Sequence, residues 1–367
     1  MRTNNLVFHS TKSNAVRGVA AVLFALGLAF ALTSHASAAG SCSTPTQSFD
    51  LWAKSGTLAL PDSASVTIWG YSPSAGGAAQ VPGPTLTVAE GTCVQVTLHN
   101  DLTEASSLAL HGQGLAADTA GASGGGGSKV YTFSATRPGT FLYEAGLTTN
   151  GARQVGMGLY GALIVQPAVA PGTYSSETVL VLSEIDPDLN AAPTTFDMGE
   201  YSPRYWLING QAYTSISSIN VAIASGSTAR VRYINAGLNE NSMGVLGLEQ
   251  QVIAADGYGV PSPYTVVAET IPPGGTLDTL ISIPGTATAG TQYALYSTAQ
   301  HLSNNGAAYG GQLMYITVSA PLAPAVTPAE IAPGVKSQTP PIQIEPLPVD
   351  IAPVTVDPNK SPDIKAP

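Results

Sequence analysis

Few side chains in this 367-residue chain can do chemistry, and they can be taken one at a time. Five histidines are present; His9 and His35 lie near the start, which leaves His99, His111 and His301. Two cysteines, Cys42 and Cys93, and the acid pair Glu184 and Asp186 complete the set. Imidazole and thiolate are the donors that copper and zinc take. Three histidines at such separations supply no His-x-His pair and no Cys placed between two His, so neither a multinuclear nor a complete blue-copper site can be assembled from them. An even cysteine pair in an exported chain reads as one disulfide. The rival reading, a copper thiolate, needs two histidines that the Cys93 strand does not carry. Glu184 and Asp186 could serve as an acid–base pair, but they precede Pro187, where turn formation is the simpler role. No phosphate loop, zinc-protease helix or serine nucleophile elbow occurs.

The elements that must position these residues are short strands. Glycine (39) and proline (28) are abundant, charged residues make 10% and apolar residues 44%, a composition suited to an all-β protein with many turns. Segments 48–60, 64–71, 84–89, 92–100, 106–111, 129–136, 139–144 and 157–166 read as strands of one Greek-key sandwich. In Thr92–Leu98 the alternation puts Val94, Val96 and Leu98 on the core face and Cys93 on the other, where it could tether the N-terminal segment. The glycine-rich stretch 119–128 reads as a solvated hairpin connection. His99 and His301 are expected at strand ends or in loops.

Residues 1–38 are expected to be a secretory signal peptide. Arg2, Lys12 and Arg17 form a basic leader, Val19 to Leu32 is apolar but short for a membrane span, and Ala36-Ser37-Ala38 is an A-x-A cleavage site. An uncleaved anchor and a lipid-modified Cys42 are the weaker alternatives; Ala39-Gly40-Ser41 lacks the leucine that the latter expects. Removing the three basic residues takes the net charge from −10 to −13. So acidic a chain suits neither nucleic acid nor an anionic membrane surface. No later segment is apolar enough to span a bilayer. From Ser319 to Pro367 prolines recur every few residues, the mark of an extended, disordered tail.

Pro82-Gly83-Pro84-Thr85-Leu86, Glu90-Gly91 and the strand ending His99-Asn100-Asp101-Leu102 resemble the opening of a plastocyanin-like domain. Pro138-Gly-Thr-Phe-Leu-Tyr143-Glu-Ala-Gly146 and Gly158-Leu-Tyr-Gly161-Ala-Leu-Ile-Val165 resemble the copper-binding and closing strands of the multicopper oxidase superfamily, in its laccase-like and nitrite-reductase-like branches. Leu207-Ile-Asn-Gly210, Asn235-Ala-Gly237, Asp256-Gly257 and Pro272-Pro-Gly-Gly275 are similar to the turns of a laccase middle domain. The resemblance implies an all-β fold of two cupredoxin-like Greek-key sandwiches, 39–168 and 169–318, between a signal peptide (1–38) and a Pro-rich tail (319–367).

The same resemblance implies that most copper ligands are replaced. The family's first histidine motif falls on His111-Gly112-Gln113. The second falls on Tyr143-Glu144-Ala145-Gly146, a third histidine falls on Gln154, and the axial methionine falls on Leu159, with Met157 two residues earlier. His111, Glu144 and Gln154 are the candidate remnant metal site, since the family gathers their counterparts at one pole. The alternative is that Glu144 and Gln154 bond each other, or Arg153, and fill the space. The expectation is an exported, copper-free protein with a binding or structural role, without a cofactor. Its partner would be an unidentified protein of the envelope or the extracellular space. The alternative is a copper-binding oxidoreductase with a reduced site, and an envelope or carbohydrate adhesin is a third class. The family also allows a homotrimer.

Overall fold

The computed structural model describes residues 42–169, 172–214 and 220–321. The leader and all but the first residues of the proline-rich tail lie outside them. The first sandwich is built from β1 (Gln47–Ala59), β2 (Ser65–Ser72), β3 (Leu86–Ala89), β4 (Cys93–Asn100), β5 (Leu108–Leu110), β6 (Gly127–Ser134), β7 (Gly139–Ala145) and β8 (Tyr160–Gln166). One sheet runs β2-β1-β4-β6 and the other β3-β8-β7-β5. Alternation along β4 puts Val94, Val96 and Leu98 in the core, fully buried, against Leu51, Phe133 and Leu163.

The second sandwich takes β9 (Ser176–Ile185), β10 (Tyr205–Ile208), β11 (Asn220–Ala224), β12 (Thr228–Asn235), β13 (Asn241–Val245), β14 (Gln250–Ala255), β15 (Tyr258–Val266), β16 (Ala268–Ile271), β17 (Thr276–Ser282), β18 (Gln292–Ser297), β19 (Ser303–Asn304), β20 (Ala307–Ala308) and β21 (Leu313–Ser319). Its sheets run β15-β14-β17-β12-β9-β10-β19-β20 and β11-β21-β18-β13-β16. The two sandwiches repeat one connection pattern. In the first, β1 pairs parallel with β4 and β3 parallel with β8. In the second, β9 pairs parallel with β12 and β11 parallel with β21. All other pairings between these strands are antiparallel, the mark of Greek-key wiring.

The expected turns are where the sequence put them. Asp256 and Gly257 both have positive φ (50° and 72°) and close the β14–β15 hairpin in two residues. Tyr143 shows why two glycines flank the closing strands. A Cβ on Gly161 would lie 2.4 Å from its ring, and one on Gly83 would lie 2.6 Å from its hydroxyl, which donates to Pro84 O at 2.7 Å.

Three expectations change. The strand expected over 157–166 begins only at Tyr160: Met157 is the C-cap of a short helix, α1 (Gly151–Gly156). The two-residue spacing of Met157 and Leu159 therefore does not place them on one strand face; both are simply buried in the core. Glycine-rich 119–128 is largely exposed, as expected, but does not close a hairpin: it leads from β5 of one sheet to β6 of the other, and it is tied down. Ser106 and Ala122 exchange backbone bonds at 3.0 and 2.8 Å, and Asp118 accepts from Ala120 N, Gly121 N and the Tyr131 hydroxyl. Finally, Glu184 does not make a turn. It remains in β9, while Asp186 caps a second helix, α2 (Pro187–Ala191), by accepting from Asp188 N at 2.9 Å.

The sandwiches are locked together by a buried polar knot. Thr140 on β7 donates to Asp278 Oδ1 at 2.6 Å and accepts from Arg232 Nη1 at 2.9 Å. Arg230 donates to Asp278 Oδ2 at 2.6 Å, and Arg232, with no exposed surface, also pairs with Glu177 at 3.0 Å. Both arginines alternate with Val231 and Tyr233 along β12, so they share the face opposite the second core. Each charge has an opposite partner, the condition under which burial is tolerated.

Candidate functional site

The remnant site divides in two. β5 and β7 pair antiparallel with Ala109 opposite Glu144, and His111, whose N donates to Leu142 O, follows two residues after Ala109 on the same face, diagonal to Glu144. The Glu144 carboxylate accepts from His111 Nε2 at 2.8 Å, with the pair half-buried. Gln154 is elsewhere. It is fully buried on α1 and donates to Glu104 Oε1 at 2.8 Å and to Ala105 O at 2.9 Å. Arg153 pairs with the same Glu104 carboxylate. The expected bond between Glu144 and Gln154, or Glu144 and Arg153, is thus replaced by two separate pairings. Gln113, at the other histidine position, is buried and turns back to donate to His111 O at 3.2 Å.

This donor set does not fit a copper centre of the family's kind. One imidazole and one carboxylate meet here, and both cysteine sulfurs are spent in the Cys42–Cys93 disulfide. Copper sites of that kind require two imidazoles and a thiolate, or several imidazoles. The remaining histidines are engaged apart from this pole. His99 stacks on Trp52 at 4.2 Å and pairs with Asp50 at 2.8 Å, as the parallel register of Trp52 with His99 dictates. His301 stacks on Trp206 at 3.4 Å, and burial lowers its pKa.

His111 faces a cleft of about 410 Å³ between the two sandwiches. One wall carries His111, Arg137 and Phe141; the other carries Asp256, Tyr258 and Pro273. The Arg137 guanidinium lies 4.0 Å from the centre of the Tyr258 ring and 5.4 Å from that of Phe141, and one of its nitrogens donates to Gly112 O at 2.9 Å. Asp256 accepts from Thr276 N at 2.9 Å through Oδ1. The seam beneath the cleft is closed by glycines: a Cβ on Gly139 would sit 2.7 Å from Gly257 Cα. The volume falls within the range that small-molecule sites span. Neither Arg137 nor Asp256 stands out in the sequence by motif. The available signal is that each opens a turn, Arg137-Pro138-Gly139 and Asp256-Gly257.

A buried acid on β9 bridges to other elements. Glu184 accepts from Leu238 N at 2.6 Å, from Asn239 N at 3.1 Å and more distantly from the Tyr201 hydroxyl. Burial raises its pKa despite these donors, and its Oε2 has no partner among the described residues.

Residues 63–169 match the family model for multicopper oxidase. Multicopper oxidase MmcO of Mycobacterium tuberculosis (strain ATCC 25618 / H37Rv) is 24% identical over 218 residues, 49% of this chain and 42% of that protein. Laccase-3 of Oryza sativa subsp. japonica is 28% identical over 247 residues, 60% of this chain and 41% of that protein. The chain spans less than half the length of these curated relatives. Among solved structures, the blue copper oxidase from Nitrosomonas europaea superposes with a TM-score of 0.66 at 22% identity, over 74% of this chain and 86% of that one. The copper nitrite reductase from Nitrosomonas europaea does so with a TM-score of 0.61 at 23% identity, over 75% and 94%. At that identity the likeness establishes the cupredoxin-like fold.

Proposed function

We propose that this multicopper-oxidase-like chain is an exported protein that works without copper, in a binding role in the cell envelope or outside the cell. The observation that carries the reading is the pairing of Glu144 with His111, at the positions where the resemblance expects copper ligands. An imidazole whose Nε2 is engaged by a carboxylate, with no second imidazole or thiolate beside it, is a weak copper donor. It is well suited to present a fixed tautomer to a ligand, because the carboxylate holds the Nε2 proton and leaves Nδ1 for the cleft. The cleft beside it supplies the volume that a binding role requires.

A second reading, a copper-binding oxidoreductase with a reduced site, is favoured by one feature: the His111–Glu144 pair is partly open to solvent and could admit a metal. Incubation of the mature protein with Cu(II), removal of free metal, and metal analysis with visible spectroscopy separate the two. The copper-free reading expects no stoichiometric copper and no visible band. One tightly held copper per chain, lost in a His111→Ala, Glu144→Ala double variant, would establish the second reading instead.

A further inference from the structure

Arg137 and Asp256 line one cleft with opposite charges, yet neither forms an ion pair among the described residues. The basic side chains elsewhere in the described chain behave differently: Lys54, Lys129, Arg153, Arg204, Arg230 and Arg232 each meet a carboxylate within 4.0 Å. Arg137 is half-buried and held in place by Gly112 O and two aromatic rings, so its guanidinium is fixed without a counter-ion. Asp256 is fixed by its turn and by Thr276 N through Oδ1, which leaves Oδ2 free of any protein hydrogen bond among the described residues.

We propose that this cleft binds a small zwitterion with an apolar body, of the α-amino-acid class. The ligand carboxylate would take the free N–H groups of Arg137, whose planar fork matches a carboxylate. The ligand ammonium would take Asp256 Oδ2. Pro272, Pro273 and the exposed Tyr258 ring supply apolar wall for the side chain. A simple anion would gain Arg137 but suffer Asp256, and a simple cation the reverse. Only a molecule carrying both charges satisfies both walls, which is how paired fixed charges select against singly charged analogues. The inference rests on the cleft being a ligand site, as in the binding reading above.

The test is calorimetric titration of the full mature chain with three probes: L-phenylalanine, hydrocinnamate, which lacks the ammonium, and phenethylamine, which lacks the carboxylate. L-Phenylalanine is expected to bind saturably, and each analogue at least about tenfold more weakly, as for loss of one charge-assisted contact. Arg137→Gln should weaken L-phenylalanine and hydrocinnamate, while phenethylamine, relieved of a like charge, should bind as well or better. Asp256→Asn, which keeps a residue tolerant of positive φ, should weaken L-phenylalanine and phenethylamine, while hydrocinnamate, relieved of a like charge, should bind as well or better. Absence of saturable binding, or an analogue that binds as well as L-phenylalanine, would overturn the proposal. Should Arg137→Gln melt early, the Asp256→Asn arm alone decides. Copper uptake is read separately, so a chain that holds copper and still selects the zwitterion would defeat the copper-free reading and leave this one standing.

Discussion

The Thr140 hydroxyl of the first sandwich donates to the Asp278 carboxylate of the second at 2.6 Å while accepting from Arg232 at 2.9 Å. One hydroxyl thus serves two buried charges from the opposite sandwich. Thr140→Val keeps the shape and removes both bonds. We expect a loss of about 2–4 kcal/mol in urea unfolding, the penalty for leaving buried charged groups short of partners. A loss below about 0.5 kcal/mol would mean that the knot does not hold the sandwiches together.

Glu184 gives a pH dependence of definite sign. Burial holds its folded pKa above the ordinary value of 4.5, so the folded state binds its proton more tightly than the unfolded state. Its contribution is fully present below the unfolded value and is lost as pH rises through the folded one. Glu184→Gln keeps an acceptor for Leu238 and Asn239 and cannot ionise. The variant should therefore match the parent near pH 4 and exceed it in stability at pH 7. Denaturation midpoints at the two pH values decide the matter, and equal destabilisation at both would count against it. The acids with lowered pKa values, Asp62, Asp118 and Glu177, titrate in both proteins and cancel in the comparison.

The Cys42–Cys93 bond closes a loop with a sequence separation of 51 and pins the start of the described chain to the outer side of β4. Loop-closure entropy puts its contribution at about 4 kcal/mol. A double replacement of both cysteines by serine should lower the denaturant midpoint accordingly. An unchanged midpoint would mean that the N-terminal segment is held by its sheet pairing with β4 alone.

Two neighbouring glycines should respond differently to alanine. Gly125 has φ of 75° and open space around a would-be Cβ, so only backbone strain, about 1–2 kcal/mol, is at stake. Gly121 has φ of 68°, and its Cβ would fall 2.3 Å from Ser106 O. Gly121→Ala should cost about 1–3 kcal/mol more as the pairing of Ser106 and Ala122 is forced apart. Thermal melts of the two variants measure the difference; equal effects would mean that the 119–128 segment gives way freely.

The fold was legible where the signal is local. Alternation in β4 and the positive-φ turn at Asp256-Gly257 follow from neighbours in sequence. Helix α1 was not legible: Gly151-Ala-Arg-Gln-Val-Gly156 has poor helix formers at both ends and is held by tertiary bonds from Gln154 to Glu104 and Ala105. Two of the three residues expected together do meet, since β5–β7 pairing brings His111 to Glu144. Gln154 was misplaced because that helix turns it toward Glu104. The stacks of His99 on Trp52 and His301 on Trp206 depend on pairings between distant segments, which no short window of sequence contains. Arg230 and Arg232 did carry an overlooked signal, since two charges on one face of a core strand call for buried partners.

The order of strands also constrains how this chain reaches its native state. Among the described strands β11 has one hydrogen-bonded neighbour, β21, which is the last strand described and lies between β11 and β18. β11 must therefore wait for β21 before it has a sheet partner among the described strands. The first sandwich needs nothing beyond Gln166 for its sheets. Emerging from synthesis or export with the N-terminus leading, the chain can finish one half while the other stands open. Such distant pairings are the slow kind. A nascent chain arrested before Leu313 would leave β11 as an unprotected edge, open to aggregation and to proteases.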